Sequence, residues 1–123
     1  EASPATLARA SPPVRTPGGV AWQAADMVLE VALIDVTPGN EDDFAAAYAQ
    51  ARPILAGAEG CRSVRMTRGV ESPTRFVLLV EWDSVEAHDV NFRQTDRFAQ
   101  WRGLIGPYFA GPPLVEHFTD VPA

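Results

Sequence analysis

The stretch FVLLVEWDSVEAHDVNFRQTDRFAQW, residues 76–101, changes its period at the centre. Phe76, Val77, Leu78, Leu79 and Val80 make a continuous apolar run, the mark of a strand buried on both faces. Trp82-Asp83-Ser84 ends that run. Val85, His88, Phe92, Thr95 and Phe98 then recur at three- and four-residue steps, which is one face of a helix. Asp83 and Glu86 form a D-x-x-E capping pattern at its start. Gln94, Asp96 and Arg97 fall off that face, so the helix is expected to break near residues 93–96 and resume through Trp101. A buried strand feeding a helix that carries His88, Asn91, Phe92, Phe98 and Trp101 predicts a wall of a small-molecule pocket.

The preceding chain supplies a scaffold. Residues 27–36, MVLEVALIDV, read as a second strand buried on both faces, with Glu30 and Asp35 as exceptions. Thr37-Pro38-Gly39-Asn40 is a turn, and Asn40 is placed to cap the next helix. Glu41, Asp42 and Asp43 sit where the helix dipole favours anions, so they read as a helix start rather than a metal site. Phe44, Ala47, Tyr48, Ala51, Ile54 and Leu55 form its apolar face. Pro53 is expected to kink or end this helix, and Gly57 and Gly60 to stop it. Residues 61–69 alternate as a strand with one wetter face, residues 71–74 make a hairpin connection, and residues 75–81 are the third strand. Gly103, Gly106-Pro107 and Gly111-Pro112-Pro113 are breakers before a last strand at residues 114–121.

The order β-α-β-β-α-β predicts an α+β, ferredoxin-like four-stranded antiparallel sheet with both helices on one face. Two helices cover only one face, so the other, apolar in this reading, predicts a homodimer. The chain has 123 residues, a formal net charge of −6 and one cysteine, Cys61. This bounds one domain, disfavours a nucleic-acid surface, excludes an intrachain disulfide and fits a cytoplasmic location. No apolar run approaches the roughly 20 residues of a membrane helix. Residues 1–26, rich in Pro and without apolar periodicity, read as a flexible N-terminal arm or a cloning remnant, or else as a strap anchored on a partner subunit by Trp22. Met27 opens the first regular pattern.

These residues resemble the antibiotic biosynthesis monooxygenase family, a group of dimeric α/β barrels. The resemblance lies in Pro38-Gly39 followed by Phe44 and Tyr48, in Gly60, in the strand and turn from Phe76 to Ser84, and in Glu86-Ala87-His88 with Asn91-Phe92-Arg93. It continues through Phe98, Trp101-Arg102 and Glu116-His117-Phe118. It implies a domain over residues 27–123. It also implies a cofactor-independent monooxygenase that oxidises a small aromatic, phenolic or polyketide-type substrate with molecular oxygen, using no flavin and no metal. Other relatives degrade heme, with an iron-binding His near the end of the second helix and an Asn on the first strand. Here Trp101 stands near the former position and the first strand has no Asn, so heme is not expected.

Five residues are candidates for chemistry. His88, in the first turns of its helix, is expected to be neutral and able to accept a proton, as a base or as a hydrogen-bond partner of a neighbouring loop. His117 is a pocket group or an interface residue. Asn91, Arg93 and Trp101 are candidates to stabilise an oxyanion or peroxide, although Arg93 could instead pair with Asp89 one turn earlier. Phe92, Phe98, Trp82 and Tyr108 are candidates for substrate contact, against a packing role for the aromatics. Glu30 and Glu81 are expected to pair with Arg65 or Arg75 across the sheet. Two other readings remain open: a non-catalytic small-molecule-binding dimer, and a cyclase or isomerase on the same fold.

Overall fold

Strands β1 (Val28–Asp35), β2 (Cys61–Arg68), β3 (Arg75–Trp82) and β4 (Leu114–Phe118) pair antiparallel in the order β2-β3-β1-β4 in the computed structural model, which describes residues 27–123. The expectations for residues 1–26, including Trp22, lie outside the described residues. Strand periodicity sorts the side chains. Glu30, Ala32 and Ile34 share a buried face with Phe76, Leu78, Val80 and Trp82. Helices α1 (Glu41–Ala56) and α3 (Asp96–Ile105) cover this face, giving the ferredoxin-like architecture. β1 and β3 are not equally buried on both faces, because the helices reach only one. Ile34 is 2% exposed and its neighbour Leu33 is 41% exposed. Val31, Leu33, Val77 and Leu79 continue across the open face to Leu114 and Phe118 on β4, both exposed.

Several local details differ from the sequence reading. Asn40 ends the turn with its backbone alone: its carbonyl accepts the Phe44 N–H at 2.9 Å, and its side chain makes no cap bond. Pro53 does not end α1, which runs on to Ala56, and the Gly57 N–H then donates to the Pro53 carbonyl at 2.9 Å. The second helical segment, α2 (Val85–His88), is capped by Ser84 and not by the Asp83–Glu86 box. The Ala87 N–H donates to Ser84 Oγ at 3.1 Å, while Asp83 is drawn away by Arg62.

After α2 the chain widens into a π-helical turn over Asp89–Arg93, where the Gln94 N–H reaches back to the Asp89 carbonyl at 3.0 Å. Such wide turns are frequent at functional sites. Thr95 is extended and restarts the chain as α3, which is the break expected at residues 93–96. Together these steps turn His88, Phe92, Trp101 and Ile105 toward the sheet, all buried.

Candidate functional site

Between the covered sheet face and the α2–α3 wall lies a cavity of about 450 Å³, within the roughly 300–1,000 Å³ usual for small-molecule sites. Glu30, Ala32, Ile34 and Leu78 form its floor. His88, Phe92, Phe98, Trp101 and Ile105 form its wall, and Arg93 and Arg102 also line it. The wall is held by aromatic packing. Phe92 meets Phe98 edge-on at 5.6 Å between centroids and Trp101 at 6.4 Å, and Tyr48 braces Trp101 at 6.3 Å. Trp101 and Phe92 are both buried, yet they leave this space open.

The polar end of the cavity is a connected chain of four side chains. Trp82 Nε1–H donates to Glu30 Oε1 at 2.9 Å. His88 Nε2 stands 3.4 Å from the same oxygen. His88 Nδ1 lies 2.8 Å from His117 Nε2. Trp82 also stacks on His88, at 4.9 Å and 16° between ring planes. Among the described residues no hydrogen bond reaches Glu30 Oε2. A carboxyl group 5% exposed, on the floor of a cavity, with no hydrogen bond to one oxygen among the described residues, is a candidate functional group.

Burial raises the Glu30 pKa above the usual carboxylate range, and the Trp82 bond and the Arg93 charge oppose this. Burial also lowers His88 to about 4, helped by His117 and Arg93 and opposed by Asp89. His117 is lowered by burial and by Arg93. Both rings are therefore neutral at pH 7. Burial, with Glu30 nearby, lifts the Cys61 thiol to about 11, so it is no thiolate nucleophile.

The family model for antibiotic biosynthesis monooxygenases matches residues 27–104. The chain belongs to the antibiotic biosynthesis monooxygenase family. The uncharacterized protein YczJ of Bacillus subtilis is 35% identical over 95 residues, covering 77% of this chain and all of YczJ. A solved structure from Bordetella bronchiseptica, placed among the antibiotic biosynthesis monooxygenases, is 47% identical with a TM-score of 0.75. That match covers 78% of this chain and 98% of the other. SnoaB of Streptomyces nogalater, a cofactor-independent oxygenase, shares the fold at 18% identity and a TM-score of 0.68, covering 80% of this chain and 97% of its own.

Within this family member the sequence-predicted residues divide into three groups. His88, Phe92, Arg93, Phe98 and Trp101 come together on the cavity. His117 and Trp82 stand behind it, joined to it through His88 and Glu30. Asn91 and Tyr108 do not line it: the Asn91 amide donates to the Glu59 carbonyl at 2.9 Å, and the Tyr108 carbonyl accepts the Thr37 N–H. Arg93 does not pair with Asp89, whose carboxylate takes the Gln94 amide; its guanidinium lies over the Phe98 ring.

Glu30 is the residue that sequence reasoning set aside. Arg65 cannot reach it, because the strand alternation puts Arg65 on the open face with Leu79. Arg75 pairs instead with Asp35 at 3.3 Å, and Glu81 accepts from Ser63 Oγ at 2.8 Å. The signal was present: an acid whose side-chain parity matches Ala32 and Ile34 in an apolar strand points into the core.

Proposed function

We propose that this protein is a cofactor-independent monooxygenase that oxidises a small aromatic, phenolic or polyketide-type substrate with molecular oxygen. The observation that carries the proposal is the buried Glu30 carboxylate with a free oxygen, facing an aromatic-walled cavity, in a family whose fold is shared with the oxygenase SnoaB. His88 Nδ1 is taken by His117 and Nε2 faces Glu30 Oε1 at 3.4 Å, so in this reading the base that meets substrate is Glu30, with His88 beside it.

Glu30 Oε2 takes a proton from an acidic C–H, as in an anthrone-type methylene. The resulting carbanion gives an electron to O₂, and the radical pair joins through a C–O bond. The peroxide so formed takes the proton back from Glu30 and becomes a hydroperoxide. Loss of the second C–H proton with O–O cleavage leaves a carbonyl and water, so CH₂ and O₂ become C=O and H₂O. The electron-rich substrate anion does what a flavin does elsewhere. Trp101, on the cavity wall, is the residue that would steady a peroxide anion.

His88 and His117 set the proton state of Glu30. In this reading, with Glu30 ionised, His88 carries its proton on Nε2, facing Oε1 at 3.4 Å, and His88 Nδ1 accepts from His117 Nε2–H. With Glu30 protonated, the chain reverses: Oε1–H donates to His88 Nε2, and His88 Nδ1–H donates to His117. One proton entering or leaving at His117 Nδ1 interconverts the two states.

One further feature supports an assembled form of the site. The open face carries Val31, Leu33, Val77 and Leu79, and two copies closing there would make a dimeric α/β barrel. The free thiol of Cys61 suits the cytoplasm. In this reading residues 27–123 are the folding unit and residues 1–26 are dispensable for folding. A folded monomer in sedimentation at micromolar concentration would contradict the dimer.

The experiment is an assay on anthrone-type substrates with and without oxygen. Oxygen uptake matching product, lost in Glu30→Gln, is the expected result. Turnover under strict anaerobiosis would refute the oxygenase and favour the cyclase or isomerase. Ligand binding without any turnover would favour the non-catalytic small-molecule-binding dimer.

A further inference from the structure

We infer that the aromatic ligand of this cavity carries a carboxylate, held at the cavity mouth by Arg93 and Arg102. The inference rests on the substrate reading above and specifies its charge.

The arginines supply the observation. Among the described residues five arginines have an acceptor. Arg52 and Arg97 donate to the Val64 and Ile54 carbonyls, and Arg62, Arg68 and Arg75 meet Asp83, Asp42 and Asp35. Arg65 lies on the open sheet face. Arg93 and Arg102 have no hydrogen bond or ion pair among the described residues, and both line the cavity. Both are exposed, and both guanidinium carbons lie over the same ring, Phe98, at 5.9 and 5.7 Å. Arg102 also lies over Phe109 at 5.2 Å.

Two unpaired cations over one ring concentrate positive charge that an anion beside them would neutralise. The stacking fixes each guanidinium while leaving its N–H groups free. A guanidinium fork binds a carboxylate through two parallel charge-assisted hydrogen bonds. The rest of the protein makes this local charge notable. The chain carries a net −6, a field that repels anions everywhere else. An arginine pair at the mouth of an apolar cavity selects ligands with an anionic head and an aromatic body. Glu30, on the cavity floor, disfavours a second anion beside it. The ligand is therefore oriented with its carboxylate outward and its acidic C–H or O–H inward.

The test uses a matched pair of probes with the hydroxyl and carboxylate at opposite ends, 6-hydroxy-2-naphthoate and 2-naphthol, with binding followed by protein NMR shifts and tryptophan fluorescence. The carboxylate is expected to bind at least about tenfold more tightly, with the difference shrinking as salt is raised. Arg93→Gln with Arg102→Gln, both surface changes, is expected to equalise the two probes. Equal or stronger binding of 2-naphthol by the unmodified protein, or an unchanged preference in the double variant, would overturn the inference. Binding is read without turnover, so the outcomes separate. Carboxylate preference without oxygen chemistry refutes the oxygenase alone. Oxygenation of neutral substrates without carboxylate preference refutes this inference alone.

Discussion

Replacing Trp82 by Phe tests whether the Glu30 network is an energetic unit. Trp82 is fully buried, and its indole N–H is the shortest bond to Glu30. Hydrogen bonds to charged groups contribute about 1.5–3 kcal/mol. The smaller ring also leaves a gap beside Phe92 and His88, worth roughly 1 kcal/mol. Trp82→Phe is therefore expected to lose about 2.5–4 kcal/mol, much of a small domain's typical stability. Glu30→Leu removes the other partner and orphans the indole N–H, so it is costly as well. The double variant replaces donor and acceptor together by apolar groups, and should be less unstable than the two losses summed, by at least about 1.5 kcal/mol. Urea denaturation at fixed protein concentration measures all four forms, with the concentration held because dimerisation would shift the midpoint. A loss below about 1 kcal/mol for Trp82→Phe, or additivity within about 0.5 kcal/mol, would refute the argument.

Three further outcomes follow from the same structure. His88 titrates near its ordinary 6.5 when unfolded and at about 4 when folded. The unfolded chain thus binds more protons between those values, and stability falls as pH drops from about 6.5 to 4, by at most about 3 kcal/mol. His117 adds to that loss. Glu30, raised by burial, works the other way above its ordinary value and reduces the net slope, while Arg93 and Asp89 are the other charges acting on the pair. His88→Phe should flatten the acid limb of a urea-midpoint series, and parallel limbs would contradict the assignment. In nitrogen-15 NMR of the histidines, His88 and His117 should change tautomer together as the Glu30 carboxyl carbon titrates, and Glu30→Gln should abolish the change; a His117 tautomer that ignores Glu30 would disprove the linked chain. Gly60→Ala should cost more than Gly39→Ala by thermal melting. Both have positive φ, at 89° and 94°, but an added Cβ at Gly60 falls 2.7 Å from Ala87 Cβ whereas Gly39 has open space. Equal losses would show that the loop simply moves aside.

Much of the architecture was legible in the chain. The switch from an apolar run to helical spacing at Trp82, the alternation after Cys61 and the breakers at Gly57 and Gly106 mark elements whose order leaves few topologies. The cavity wall was legible too, because His88, Phe92, Phe98 and Trp101 lie on neighbouring turns of one segment. Local hydrogen bonding was harder to foresee. Ser84 displaced the Asp83 cap, since Arg62 from a distant strand took the carboxylate, and Asn91 was claimed by the Glu59 carbonyl.

What the sequence by itself determined was everything carried by periodicity: which residues are apolar, how often they recur, and hence which face of each element is buried. Tertiary structure alone decided the partners of the polar residues. Glu30, Trp82, His88 and His117 come from β1, β3, α2 and β4, and Trp82 lies 52 residues from the Glu30 it holds. Hydrophobic burial is nearly non-directional and reads out one residue at a time, whereas a hydrogen bond needs a particular atom at a particular distance and angle. Only the strand register, setting Glu30 opposite His117 on one side and Val80 on the other, brought that atom there.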